Sequence, residues 1–333
     1  MVSTQTLILM LHHGRIKMAK DINRYSFSRF RIFHQCPRRH MYQYIEQIPT
    51  ADSKTAMPGK IFHEAVALLL MDQDPTPKFQ EFSALCINGQ LDMDPKLMEF
   101  IVREYFNYYA DDFTKEKTLL VEHEVTEPLE DDDYLIVIID NVHERLDSGI
   151  TVLRDMKTSL SGFKYDLDAV KSNQQLLLYV PYAEKEIQNK IDAVQIDEIR
   201  MAMLEPVPVN NNGKPSTDKR RLTNVTYEAY YEYLESIGLE DDKIFKDILE
   251  YLQQRGHPLF NRVTHQLLDP NQIDTNIADM WNTYEAMKPL TINYRVRGPL
   301  CNWCPFKELC ELDMFNPTEV DRDVLKQKII LIN

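Results

Sequence analysis

The most informative hydrophobic pattern lies near the middle of the chain. Leu135 to Ile139 is an unbroken apolar run that ends at Asp140, the pattern of a strand covered on both faces. Asp147-Ser148-Gly149 supplies a tight turn, and Ile150 to Met156 returns as a second strand that leads into Lys157. Strand side chains alternate, so Asp155 and Lys157 share a face, and hairpin pairing brings Asp140 toward them. Two acids and a lysine at the end of an apolar hairpin are a costly way to build a sheet edge. They suit metal-assisted phosphodiester hydrolysis.

Around this hairpin the periodicity predicts helices and strands in a mixed order. Ser26 or Ser28 can cap a helix through Phe33, and a second helical run follows Cys36-Pro37, from Arg38 to Ile48. Pro58-Gly59 is expected to break the chain before an apolar helix from Lys60 to Met71 that carries His63. Residues 95–117 read as an amphipathic helix and Leu119 to Pro128 as a strand. Leu167 to Ile191 reads as a helix that Pro181 should kink or stop. Then come a strand from Val194 to Leu204, a loop over 206–217, helices over 227–255 interrupted near Gly238, a strand over 259–267 and a helix over 271–287. The order predicts an α/β protein with a central mixed sheet flanked by helices and added helical segments. We expect a tail over residues 1–20, with Met18 an alternative start, and one domain over 21–333.

Composition changes this picture little. At 333 residues, 44% apolar and 27% charged, the chain can bury a sizeable core and shows no disorder signature. No apolar run reaches membrane-spanning length, and Leu7 to Leu11 is too short for an export signal, so a reducing cytoplasm is expected. The net charge of −14 argues against an extensive nucleic-acid surface. Residues 15–60 nevertheless hold ten Lys and Arg against Asp21, Glu46 and Asp52, which leaves room for a local phosphate-binding patch that includes Arg29, Arg38 and Arg39.

Cysteine spacing adds a second chemistry. Cys301, Cys304 and Cys310 fall within ten residues, and Cys36 beside Pro37 is the best fourth ligand; Cys86 lies outside any pattern and is expected in the core. Four thiolates imply Zn²⁺ or an iron–sulfur cluster. One C-x2-C knuckle with two single cysteines favours [4Fe–4S], with Zn²⁺ as the alternative. Either would join the N- and C-terminal regions across some 265 residues, acting as a staple.

Five motifs occur in order: SFSRFRIFHQCPRR at Ser26 to Arg39, G-x-x-x-H at Gly59 to His63, the hairpin with Asp155-Met156-Lys157, Q-x-x-x-Y at Gln175 to Tyr179, and the C-terminal cysteines. Together they resemble the RecB-like branch of the PD-(D/E)XK nuclease superfamily, above all its iron–sulfur members, the CRISPR-associated RecB-like exonucleases and AddB-type helicase-nucleases. The likeness spans Tyr25 to Cys310 and is weakest over about 205–295, a helical insertion. It implies a restriction-endonuclease-like core and an Mg²⁺- or Mn²⁺-dependent deoxyribonuclease acting on single strands or DNA ends. His63, Asp140, Asp155 and the Met156 carbonyl would hold the metal. Lys157 would orient water or neutralise charge, and Gln175 and Tyr179 would support the site and touch the substrate backbone. A helicase, recombination or CRISPR partner and an oligomer are also implied.

Alternatives stay open at several positions. Relatives place a small residue before the first hairpin acid, whereas this chain has Ile138-Ile139-Asp140-Asn141, so Glu144, four residues on, is a second candidate. Glu64 is an alternative to His63. A catalytically inert DNA-binding or assembly module of the same fold is the competing function. No phosphate-binding loop of the helicase type is present.

Overall fold

The structure is a computed structural model and describes residues 23–48, 50, 56–267, 269–289, 294–315 and 318–332. The expected N-terminal tail, with Arg15, Lys17 and Lys20, lies outside the described residues. The chain divides into two compact units. One comprises residues up to 53, 124–137 and 274 onward; the other comprises 54–123 and 138–273.

The second unit carries the hairpin. The strands are β1 (Arg24–Tyr25), β2 (Glu116–Pro128), β3 (Tyr134–Arg145), β4 (Thr151–Ser159), β5 (Ala193–Arg200) and β6 (Phe260–Gln266). β3 and β4 are antiparallel with Asn141 opposite Arg154 and Glu144 opposite Thr151. β4 runs parallel to β5 from Val152–Ala193 to Ser159–Arg200, and β6 is antiparallel to β5. The sheet is therefore mixed, as expected. Gly149 turns the hairpin at φ +71°, a conformation that needs no Cβ. Ile138 is the exception in the buried apolar run, 42% exposed, because alternation places it on the side of Asp140.

Helices cover both faces. Met156 packs with Ile61, Phe62, Met98, Ile101 and Tyr105 from the helices Met57–Leu70 and Leu97–Tyr108. Lys157, pointing the other way, meets the helix Gln174–Ile187. Several expectations shift. Pro58-Gly59 does not break the chain: both lie in the first turn of the His63 helix, where a missing proline N–H leaves no helical bond unmade. The helix through Pro181 neither stops nor starts where expected; it continues to Ile187, and the interruption falls at Asn173, whose side chain caps it by accepting from Leu176 N–H. The helix Thr76–Ile87 was not anticipated. Thr226 caps the helix Tyr227–Ser236, and a small core around Leu222, Tyr230, Phe245 and Leu252 holds it against the helix Lys243–Arg255.

Buried acids in β5 are committed to structure. Asp197 binds Arg262 and Tyr105, and Arg154 stands nearby, which holds its carboxyl below the usual range despite burial. Glu198 accepts from the backbone N–H groups of Lys164 and Tyr165 and so anchors the loop after β4.

In the first unit β1 pairs in parallel with Tyr134 and Leu135. Ser26 caps the helix Phe27–Gln35 as predicted, and the following helix passes into a wide turn over Met41–Ile45. Tyr42, Ile48, Phe306, Leu309 and Ile329 form its core. Tyr42 donates to Asp313 at 2.6 Å and Arg322 to Glu46 at 2.9 Å, so the early and late segments of the chain are bonded together. Among the described residues no helix is long and apolar enough to cross a membrane.

Candidate active site

The site forms where the β3–β4 ladder ends. One step beyond the Asn141–Arg154 pair, the Met156 N–H donates to Asp140 Oδ2 at 2.8 Å, a side chain standing in for a strand carbonyl. Asp155 follows on the same face as Lys157, whose ammonium lies 2.7 Å from Asp155 Oδ2 and donates to Gln175 Oε1 at 2.9 Å. Gln175 in turn donates to the Tyr179 hydroxyl at 3.4 Å, one helical turn away. Lys157 is thus pinned between a strand acid and a helix amide.

His63 arrives from the other helix. Its Nδ1 lies 3.4 Å from Asp140 Oδ2 and 3.5 Å from Glu122 Oε1. The helix reaches the hairpin closely because residue 59 is glycine: a Cβ there would collide with Thr158 Oγ1, next to Lys157. Ligand atoms of His63, Glu122 and Asp140 all lie within 4.8 Å of one another.

A family model of the PD-(D/E)XK nuclease superfamily matches residues 24–311. The chain belongs to that superfamily. Membership implies a phosphodiester-cleaving nuclease, and the mixed sheet flanked by helices agrees with a restriction-endonuclease-like fold. A search of curated proteins returned no match.

Set against the PD-(D/E)XK pattern, Asp140 rather than Glu144 reaches the helix histidine; Glu144 lies further along the ladder, opposite Thr151. Asp155 pairs with Lys157 and stays outside the tight His63–Glu122–Asp140 group. Met156 contributes its N–H to Asp140 and its side chain to the core. Glu64 pairs with Lys60 and Lys78 and is not drawn into the site.

Sequence reasoning missed Glu122. It lies inside β2, yet its φ is +43°, a left-handed conformation that costs a non-glycine residue about 1 kcal/mol or more. Its Oε1 is buried without a hydrogen-bond donor in proper geometry. Only the unusual alternation of LLVEHEVTEP hinted at it, and a strand bent at one residue leaves no clear periodic trace.

Electrostatics follow from this crowding. Burial alone would push the His63 imidazole down, but Asp140, Glu122 and Asp155 push it up to about 9. Burial, reinforced by the Asp140 charge, raises Asp155 to about 6 against the opposing Lys157 charge. Asp140 is raised as well, chiefly by burial, with His63 opposing. Buried carboxylates held above their normal range and a carboxylate oxygen with no donor fit a divalent cation with hard oxygen and imidazole ligands.

The arginines expected at a phosphate patch separate. Arg29 is 1% exposed; it donates to His40 and the Arg24 carbonyl and lies over the Tyr25 ring, so burial removes it from any backbone contact. Arg38 and Arg39 instead line a cavity of about 450 Å³ in the first unit, together with Cys36, Cys301, Cys304 and Cys310. The Arg295 Nε–H donates to Cys310 Sγ at 3.3 Å, and Arg297 and Lys307 also line the cavity. Cys86 packs against the helix-side core, as expected.

Proposed function

We propose that the protein is a RecB-like deoxyribonuclease, dependent on Mg²⁺ or Mn²⁺, that acts as an exonuclease on single strands or DNA ends. The observation that carries this reading is the Lys157 ammonium held between Asp155 and Gln175 beside the His63–Glu122–Asp140 group. His63, Asp140 and Asp155 would hold the metal, with Glu122 added to them. When bound, such an ion activates water and stabilises charge on the phosphoryl oxygens. The protein's own part is to fix that charge environment. Lys157 presents a compact positive charge toward the scissile phosphate. Gln175 holds the ammonium in one orientation, and Tyr179 buttresses Gln175. Asp140 is held by the Met156 N–H, and the same Oδ2 lies 3.4 Å from His63 Nδ1.

The reading extends to the cysteines, which we assign to a [4Fe–4S] cluster. Cys36, Cys301, Cys304 and Cys310 all line one cavity, which supports a common group held by the four thiols. The arginines around it suit the negative charge of a thiolate-ligated cluster, and a hydrogen bond to a cysteine sulfur is a recognised means of tuning one. Recombination, repair or CRISPR-type processing in the cytoplasm, with a helicase or other DNA-processing partner, is the setting this chemistry suits.

The deciding experiment is Mn²⁺-dependent degradation of end-labelled DNA, single- and double-stranded, linear and circular, by wild type, Asp155→Ala and Lys157→Ala. Degradation of linear single strands by wild type alone is expected. DNA binding without cleavage by any of the three would favour an inert binding module.

A further inference from the structure

The surface beside the cysteine cavity is exposed in an unusual way. Trp303 is 87% exposed, Phe315 80% and Tyr294 63%, and Val296, Leu300 and Met314 are exposed with them. Isolated exposed apolar residues are ordinary; three aromatic rings left in solvent within 22 residues of one another are not. Trp303 sits in the short turn Pro299–Trp303 between Cys301 and Cys304, and Phe315 lines the cavity mouth with Met314 and Val296. The Arg38 N–H donates to the Tyr294 carbonyl at 3.1 Å, which ties this aromatic to the arginines on the cavity wall.

Charge on this surface is equally distinctive. Between Glu285 and Glu308 the sequence holds Lys288, Arg295, Arg297 and Lys307 and no acid, within a protein that carries −14 overall. Arg38, Arg39, Arg295, Arg297 and Lys307 line the cavity against the single acid Glu311, and Arg38 lies 4.0 Å from Asp313. Thiolate or cluster charge accounts for Arg295, which touches Cys310, but not for exposed aromatic rings.

We propose that this aromatic and basic rim is a docking surface for single-stranded nucleic acid, separate from the catalytic hairpin. Unpaired bases stack on Trp303, Phe315 and Tyr294, and the phosphates run along Arg297, Arg39 and Lys307. Stacking needs rings with open faces and tolerates any base, while arginines supply both phosphate contacts and cation–π support. A duplex hides its base faces, so the rim selects unpaired strands. A purely apolar protein partner would gain nothing from the five cationic residues. The proposal deepens the nuclease reading and rests on it for the identity of the substrate.

The test is fluorescence anisotropy of a labelled single-stranded oligonucleotide with the full-length protein in EDTA, with Trp303→Ala, Trp303→Phe and Arg297→Glu beside wild type. Trp303→Ala and Arg297→Glu should each weaken binding about tenfold or more, within the range of a lost stacking or phosphate contact. Trp303→Phe should keep most of the affinity, and a matched duplex should bind more weakly than the single strand. Wild-type affinity in both Trp303→Ala and Arg297→Glu would overturn the proposal, as would equal loss in Trp303→Phe and Trp303→Ala. Absence of any wild-type binding would overturn it too, and would leave the surface to a protein partner. Cleavage with Mn²⁺, assayed in parallel, separates the two readings. Cleavage with unaltered binding in the variants removes the rim and keeps the nuclease; stacking-dependent binding without cleavage does the reverse.

Discussion

The Asp140 carboxylate accepts the Met156 backbone N–H at 2.8 Å, so one side chain both closes the hairpin and faces His63. Asn keeps an acceptor for that N–H, whereas Ala leaves it buried without one, a loss of about 1–3 kcal/mol. Asp140→Asn should therefore fold with near-wild-type thermal stability and lose nuclease activity by at least a hundredfold. Asp140→Ala should lose both. Thermal melts and initial cleavage rates on the two variants measure the difference.

Glu122→Gln removes charge from the His63–Glu122–Asp140 group at constant size. Titration calorimetry should show Mn²⁺ binding weakened about tenfold or more, with the fold unchanged by circular dichroism. Unchanged affinity would place Glu122 outside the metal site. A related effect concerns pH. His63 is held protonated up to about 9, and a metal must displace that proton, so wild-type Mg²⁺ affinity should rise as pH goes from 7 to 9.

Asp155 sets a pH signature on the metal-free protein. Its folded pKa of about 6 lies above the unfolded value of about 3.9, so the unfolded chain releases this proton first as pH rises. Wild-type stability should fall between pH 4 and 6 relative to Asp155→Asn, which resembles the protonated acid, and the gap should then stay level. The pKa difference corresponds to a gap on the order of 2–3 kcal/mol. Melting curves in EDTA across pH 4–8 test this; wild-type stability that rises relative to Asp155→Asn over pH 4–6 would contradict it.

Gly59 against Thr158 predicts a rescue. Gly59→Ala drives a methyl into the Thr158 hydroxyl and should destabilise the protein by about 1–3 kcal/mol, displacing the His63 helix and lowering activity. Thr158→Ala removes the colliding oxygen, so the double variant should recover most of the loss. A double-mutant cycle on melting temperature and cleavage rate reads the coupling.

For the cysteines, protein purified without oxygen should be brown and contain iron. Cys301→Ser should lose colour and soluble yield together, since the group closes a long chain loop. Colourless wild-type protein with one equivalent of zinc would replace the cluster with a zinc site.

The hairpin was readable from residues alone because an apolar run ending at Asp140, a glycine turn and the Asp155–Lys157 alternation each leave a trace in the sequence. The Ser26 cap was readable from local chemistry, and the Gln175–Tyr179 pair from the order of motifs that carries the family likeness. Glu122 was not, because its position depends on one left-handed backbone residue inside a strand. Nor were the buried acids of β5: AVQIDEIR looks half-exposed, and partners distant in sequence, Arg262, Tyr105, Lys164 and Tyr165 among them, satisfy Asp197 and Glu198 in the interior. Arg29 is buried for a more local reason, since its acceptors, the Arg24 carbonyl and His40, lie within eleven residues of it on either side of its helix.

The division of the chain has a consequence for its biosynthesis. Every residue of the candidate active site lies in the unit completed by residue 273, whereas Cys301, Cys304 and Cys310 belong to the last 60 residues. Chains emerge from the ribosome N-terminus first, so every residue of the catalytic hairpin and its helices is made while Cys36 still waits for Cys301, Cys304 and Cys310. A ribosome that stops early would release the hydrolytic groups without their cysteine-bearing companion. On the assignment proposed above, the group at the cysteines could be completed only once these last 60 residues had been made, after every active-site residue.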